Sequence, residues 1–141
     1  MRHIKNTLIG ALILLFLSTS LVFAGYQYKP KKDHLGGDIA PVEALKMMKK
    51  NPKNTFIVDV RTRYEYQVIG HVEGAYNIPI KFFTTTVGKK GYTKSKNPNF
   101  GQDILARFSP ETDTLILYCR SAKRSCDATN DMFGCVSSRA V

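Results

Sequence analysis

The sequence has little of what a metal site or a disulfide framework requires. Its three histidines, His3, His34 and His71, are dispersed along the chain, and no C-x-x-C motif occurs. Structural zinc sites usually take their ligands from closely spaced cysteines and histidines. Three cysteines are also an odd number, so at least one thiol must stay free or find a partner elsewhere. We therefore expect no metal and no cofactor, and a core that depends on apolar packing.

Acidic residues are scarce, with 11 against 21 basic ones and a net charge of +10. The lysines are scattered over residues 29–32, 46–53 and 89–96, and we find no element on which they alternate with aromatic residues. That pattern is typical of solvated surface and argues against nucleic acid as a partner. A basic balance also suits a small anionic substrate.

Long apolar runs are confined to the first 24 residues. A basic start with Arg2 and Lys5 precedes an apolar stretch over residues 7–17, and the small residues around Ala24 resemble a cleavage site. We expect a secretory signal cut after Ala24, and hence export, to the bacterial periplasm. The alternative is an uncleaved anchor, because residues 8–24 approach the roughly 18 residues of a membrane span. No cysteine follows the run, which argues against a lipoprotein anchor.

The rest of the chain is long enough for one domain. We expect a signal at 1–24, a linker at 25–37 and a domain at 38–141. Two of the 21 basic residues lie in the signal, so 19 face 11 acidic residues in the exported part, a net charge of +8.

Apolar periodicity in the domain predicts strands that alternate with helices. The predicted helices are Pro41–Lys50, with Val42, Leu45 and Met48 on its buried face, then 61–68 closed by Gly70, 80–87, and 102–108. The predicted strands are 55–60, 75–79 and 114–118, and residues 88–101 are predicted to form a loop. This order predicts an open, mainly parallel α/β sheet flanked by helices, with sites outside the carboxyl ends of strands.

Cys119 directly follows the predicted strand Thr114–Tyr118. A tight loop and a second helix come next, beginning near Arg124 and capped by Ser125, with Cys126, Thr129, Met132 and Phe133 on its buried face. Backbone N–H groups in such a loop, together with the helix start, favour a thiolate and an anionic adduct on its sulfur. Arg120, Lys123 and Arg124 add positive charge, and Ser121 and Ser125 can donate hydrogen bonds. Cys119 is therefore the candidate nucleophile for a small anion.

Three motifs carry a family resemblance. Residues 119–125, CRSAKRS, are similar to the active loop of rhodanese domains, written C-R-S-G-x-R-S, with Ala122 where glycine is common. Residues 58–61 with Glu65 and Tyr66 resemble the family's D-V-R…E-Y segment. Residues 70–79, GHVEGAYNIP, resemble its G-H-I-x-G-A-x-N-I-P.

The resemblance implies a sulfurtransferase, in which Cys119 accepts a sulfane sulfur from a donor such as thiosulfate. The resulting persulfide passes its sulfur to cyanide or another thiophile, and a protein acceptor is a further partner to consider. The resemblance implies that the substrate loop is formed by Arg120, Ser121, Ala122, Lys123, Arg124 and Ser125. Lys123 and Arg124 are the residues we expect to meet the donor's charge.

Other motif positions are expected to be structural. We expect a scaffold role for Asp59, Arg61, Glu65 and His71. Arg61 and Glu65 are also spaced for an i, i+4 ion pair. A catalytic His71 is the less favoured alternative, and Cys126 is expected to pack in the helix rather than to act as a resolving thiol. Cys135 receives no role.

Two other functions stay open. Phosphatases and arsenate reductases use a related loop, C-x5-R, but only four residues separate Cys119 from Arg124. A carrier that binds sulfur without catalysis is the other alternative, with the basic loop 88–101 as its docking surface.

The resemblance also implies more chain after the loop helix. The family expects a further strand, a glycine pair and a final helix that often holds a tryptophan, whereas this chain has no tryptophan and ends at Val141. We therefore expect a C-terminally truncated rhodanese-like domain, in which the strand carrying Cys119 lacks a neighbour.

Overall fold

The computed structural model describes residues 34–89 and 91–137, with side chains as far as residue 134. The predicted signal and most of the predicted linker lie outside these residues, as does the side chain of Cys135. None of the helices within the two described ranges has the length and apolarity to cross a bilayer.

The described part contains three α-helices, one π-helical turn and five strands. In chain order these are α1 (Pro41–Lys50), β1 (Thr55–Asp59), the π-turn (Glu65–Ile69), β2 (Tyr76–Asn77), β3 (Lys81–Gly88), β4 (Gly91–Lys96), α2 (Phe100–Leu105), β5 (Thr114–Tyr118) and α3 (Lys123–Ser137). The predicted bounds of α1 and β5 are confirmed, and Gly70 ends the π-turn with a φ of 99°, which glycine adopts without strain.

β1 is the central strand of a three-stranded parallel sheet with the order β2-β1-β5. Asp59, the last residue of β1, pairs with Asn77 on one side and with Tyr118 on the other. Parallel strands end at the same edge, so Asp59 and Cys119 lie at one edge of the sheet. This confirms the predicted parallel α/β sheet flanked by helices. Within the described ranges, β5 pairs with β1 alone, and its outer edge has no strand beside it.

The core lies where β1, the segments after β1 and β2, α2 and α3 meet. Phe100 of α2 and Ala128 of α3 are fully buried there, and Cys119 packs against the same cluster. The core residues are Val58, Val60, Ile78, Ile80, Phe100, Ile104, Phe108 and Ala128. The thiol is therefore attached to the best-packed part of the molecule.

The predicted buried face of α1 is wrong. Val42 and Leu45 are 59% and 50% exposed, whereas Ala44 is buried and Met48 is half-buried. Periodicity identifies residues that share a face, but burial also requires a neighbour on that face. The side of α1 that packs carries Ala44 and Met48.

The predicted helix 80–87 and loop 88–101 are also wrong. β3 and β4 pair as an antiparallel hairpin, and the end of the predicted loop begins α2. Thr84, Thr85, Thr86 and Val87 are β-branched, which disfavours a helix and favours a strand. Gly88 and Gly91 pair across the turn, and Gly91 has a φ of 95°. α2 begins two residues before its predicted start, because Phe100 is part of the core.

The last residues of the predicted linker rest on α3. The Leu35 N–H donates to Asn130 Oδ1 at 3.0 Å. A Cβ atom at Gly36 would lie 2.7 Å from the Thr129 methyl group, so any side chain at this position would require Thr129 to move. Residues 35 and 36 thus behave as an arm on the domain.

Candidate active site

The loop that follows β5 contains only four residues, Cys119 to Ala122, before α3 begins at Lys123. Its turn is made at Ala122, which has a φ of 63°, a left-handed conformation that is unusual outside glycine. The Cys126 N–H donates to the Ala122 carbonyl at 2.9 Å and so starts the helical ladder. α3 therefore begins one residue earlier than predicted. Ser125 lies inside its first turn and is not its cap.

Cys119 is half-buried, and its sulfur lies 3.6 Å from the Ser125 hydroxyl oxygen. That hydroxyl donates its hydrogen to the Ala122 carbonyl at 2.9 Å, and it can rotate to donate to a sulfur anion instead. The first turn of a long helix thus lies beside the thiol, where helix N–H groups favour negative charge. The arrangement suits a nucleophilic thiolate and a charged sulfur adduct.

Arg124 joins the loop to the π-turn through a bidentate ion pair. Its two terminal nitrogens donate to the Glu65 carboxylate at 2.6 and 2.8 Å. The pair lowers the pKa of Glu65 to about 2 and raises the pKa of Arg124 above its usual value. The predicted Arg61–Glu65 pair is wrong, since Glu65 pairs with Arg124. A contact between Arg124 and the sulfur donor stays a prediction. The Glu65 carboxylate already compensates part of the positive charge of Arg124.

Thr62 orients Glu65, a role that our sequence reasoning missed. The Thr62 N–H and hydroxyl donate to the Glu65 carboxylate at 3.2 and 2.8 Å, and the Glu65 N–H donates back to the hydroxyl at 3.3 Å. This is a capping box, and the T-x-x-E spacing of residues 62–65 was the signal for it. Both Thr62 donors contact Glu65 Oε2, the oxygen that also accepts from the Arg124 Nη1 atom.

Asp59 and Arg61 support the neighbouring strand end. Asp59 is fully buried and accepts from the Arg61 backbone N–H at 2.9 Å, and the Arg61 guanidinium approaches its carboxylate to 2.6 Å. This pairing raises the pKa of Arg61. The same guanidinium donates to the Gly70 carbonyl at 2.6 Å and lies 5.6 Å from the centre of the Tyr118 ring, next to Cys119 in sequence. These contacts hold the end of β1, and the scaffold role of the two residues stays a prediction.

His71 has its contacts within the turn after the π-turn. Its Nδ1 atom lies 3.0 Å from the Tyr66 carbonyl oxygen, and its ring stacks on the Tyr66 ring at 3.6 Å. Tyr66 in turn donates from its hydroxyl to the Ala75 carbonyl at 2.8 Å. These contacts give His71 a role in shaping the turn.

The remaining loop side chains face solvent. Arg120, Ser121 and Lys123 are exposed, so their charges and hydroxyl can meet a small anion at the loop. The structure thus brings residues 119–125 together with Glu65, while Asp59 and Arg61 lie at the adjoining strand end. Cys126 is buried on α3, where burial raises the pKa of its thiol, and Phe133 of the predicted buried face is 48% exposed.

A groove lies beside the open edge of β5. It has a volume of about 1510 Å³, and its lining includes apolar and polar residues of α1, α2, β5 and α3 as well as Cys119. Neither described range contains a group of three or more histidine, cysteine or acidic side chains that could hold a metal ion.

Comparison with known proteins agrees with this geometry. The family model for the rhodanese-like domain matches residues 40–133. The chain belongs to the rhodanese-like domain family. It is also 35% identical over 75 residues to the protein named thiosulfate sulfurtransferase 16, chloroplastic, from Arabidopsis thaliana. That match covers 53% of this chain and 56% of the relative, so the chain spans little more than half of the relative's length. These similarities support a rhodanese of the sulfurtransferase type.

Proposed function

We propose that this rhodanese-like chain moves a sulfane sulfur from thiosulfate, or a similar anionic donor, through a persulfide on Cys119. The observation that carries the proposal is the position of the Cys119 sulfur, held at the sheet edge beside the first turn of α3 and 3.6 Å from the Ser125 hydroxyl.

The reaction needs no group other than the thiolate and the two substrates. The Cys119 thiolate attacks the outer sulfur of thiosulfate, the S–S bond of the donor breaks, and sulfite leaves with the bonding electron pair. Cyanide then attacks the outer sulfur of the persulfide and leaves as thiocyanate, which returns the thiolate. Charge balances in both steps.

Loop residues have different parts in this scheme. Arg120 and Lys123, both exposed, attract the donor anion to the mouth of the loop. Arg124 holds the loop in shape through Glu65, and the Ser125 hydroxyl can donate to the charged sulfur. We also propose, from residues 1–24 alone, that the chain is exported to the bacterial periplasm.

Intact mass spectrometry tests the proposal. The chain from residue 25 onward, reduced and then incubated with thiosulfate, is expected to gain one sulfur atom and to lose it as thiocyanate when cyanide is added. Cys119→Ser should gain none. Cys126→Ser is the matched control, because it removes a buried thiol of α3 and should still form the adduct.

The outcomes separate the alternatives. A persulfide that forms but does not turn over with cyanide would favour the carrier function. A folded chain that forms no adduct would contradict the sulfurtransferase function. The phosphatase function would then become a candidate again. Circular dichroism on the same sample establishes that the chain is folded.

A further inference from the structure

The hairpin of β3 and β4 presents aromatic and apolar side chains to solvent. Phe83 of β3 contacts Tyr64, and its ring lies 4.8 Å from the Lys94 ammonium group. Tyr92 and Lys94, two residues apart on β4, share one side of the hairpin, and Val87 pairs with Tyr92. We call these five residues the hairpin face. Tyr64, Phe83, Val87 and Tyr92 are 57%, 44%, 66% and 68% exposed.

The same segment has no negative charge. Between Glu73 and Asp103 the sequence has five lysines and no acidic residue. At the base of the hairpin, Lys81 and Lys96 pair with Asp127 and Asp131 of α3 at 3.9 and 2.5 Å. The outer part carries two exposed lysines, Lys89 near the turn and Lys94, whose ammonium group lies over the Phe83 ring. Our sequence-based expectation that lysines and aromatics do not meet on one element is therefore wrong here.

The hairpin face lies next to the active loop. Tyr64 directly precedes Glu65, whose carboxylate holds Arg124. The two aspartates that fix the base of the hairpin belong to α3, the helix that starts at the loop. A molecule seated on the hairpin face would thus be held near the loop that carries Cys119.

We propose that the hairpin face docks a protein that presents an acidic, partly apolar surface and the cysteine that accepts the sulfur. Exposed apolar patches rimmed by charge are typical of protein–protein sites, and lysines that have no ion-pair partner among the described residues select an acidic partner. The inference rests on the proposed function: the partner's thiolate attacks the outer sulfur of the Cys119 persulfide, the S–S bond breaks, and Cys119 leaves as the thiolate.

Two synthetic cysteine peptides can act as probes. Both contain a leucine beside the cysteine, with glutamates around it in one peptide and glutamines in the other. We expect the persulfidated wild type to transfer sulfur to the glutamate peptide about fivefold faster at low salt, and this preference to shrink as salt is added. The double variant Lys89→Glu, Lys94→Glu should abolish the preference, and Phe83→Ala should slow transfer to both peptides.

The matched control is Lys49→Glu together with Lys53→Glu, an equal change of charge at and just beyond the end of α1. It should keep the peptide preference. All variants should form thiocyanate at the wild-type rate with saturating thiosulfate and cyanide, since none of the substituted residues belongs to the loop. The wild type could convert cyanide to thiocyanate and yet transfer sulfur equally fast to both peptides. That result would overturn the docking inference and leave the proposed function intact.

Binding is also measured without chemistry. Labelled serine analogues of the two peptides are titrated into Cys119→Ser, and fluorescence anisotropy reports affinity whether or not the wild type forms a persulfide. Tighter binding of the glutamate peptide, lost in the hairpin double variant, supports the docking surface even if sulfur transfer fails. A single-stranded oligonucleotide that binds more tightly and displaces the glutamate peptide would overturn the assignment to a protein partner.

Discussion

Ala122 has the backbone conformation on which the active loop depends. A left-handed conformation costs an L-residue about 1–2 kcal/mol relative to the right-handed one. The fixed backbone of β5 and the first turn of α3 maintain this conformation from both sides. Strain of this kind is found where a short loop must aim its backbone groups at one point.

Replacing Ala122 with glycine should relieve that strain. We expect Ala122→Gly to raise the free energy of unfolding by up to about 1 kcal/mol, because glycine's greater freedom in the unfolded chain offsets part of the gain. Urea unfolding measures the change. Ala128→Gly is the comparison, since Ala128 is fully buried inside α3, and it should lower stability by at least about 1 kcal/mol. A loss of stability in Ala122→Gly would contradict the argument.

Glu65 makes the stability of the domain depend on pH. Its pKa of about 2 in the folded chain is well below its ordinary value of 4.5, so the folded state favours the ionised form. The stabilisation is complete above the ordinary pKa and is lost as pH falls toward 2. It amounts to on the order of 3 kcal/mol.

The test compares wild type with Glu65→Gln. The difference in free energy of unfolding should be largest near pH 6 and should shrink as pH falls from 5 toward 2. Other carboxylates titrate in the same range, such as Asp113, whose pKa is also lowered. Because both proteins contain these other carboxylates, their contribution cancels in the difference in free energy of unfolding. A difference that does not change with pH would rule out the carboxylate as its source.

The secondary-structure elements differ in how far the sequence could predict them. α1 and β5 have local signals that agree, a proline at the helix start and a run of branched residues ended by Cys119, and their bounds were predicted correctly. The other elements and contacts depend on residues that are distant in the sequence. Nothing in the sequence around Glu65 identifies Arg124 as its partner, because the two residues are 59 positions apart. The hairpin was missed because its apolar residues were interpreted by helical spacing when their β-branching favoured strands.

Asn97 connects the hairpin to the core. It is 2% exposed, its side-chain amide donates to the Pro79 carbonyl and to Asp103, both at 3.0 Å, and its oxygen accepts from the Asn99 N–H at 3.0 Å. We expect Asn97→Ala to lower the free energy of unfolding by about 2–3 kcal/mol, because it leaves buried polar groups without partners. Thermal or urea unfolding measures the loss.

Asn99 provides the control for that substitution. It is exposed and makes no side-chain capping bond at the start of α2. Asn99→Ala should change the free energy of unfolding by less than about 0.5 kcal/mol. Equal effects of the two substitutions would show that the buried hydrogen bonds of Asn97 do not hold the hairpin.

At the scale of the whole molecule, the strands of the small parallel sheet differ in how many neighbours they have. β1 has a strand on each side and the core against it, whereas β5 faces the groove along its outer edge in the described ranges. The resemblance predicted a strand without a neighbour at this place. The exposed Val42 and Leu45 on α1 were not predicted, since a pattern of apolar residues does not reveal which neighbour covers them.

Amide hydrogen exchange should reveal this asymmetry residue by residue along β5. The Thr114 N–H donates to the Asn54 carbonyl, so by strand alternation the amides of Ile116 and Tyr118 also face β1, while those of Leu115 and Leu117 face the groove. We expect the second pair to exchange at least about tenfold faster. Equal protection of all four amides would mean that the outer edge is covered. The strand that carries the reactive thiol would then report, through its own protons, that the groove beside it is occupied.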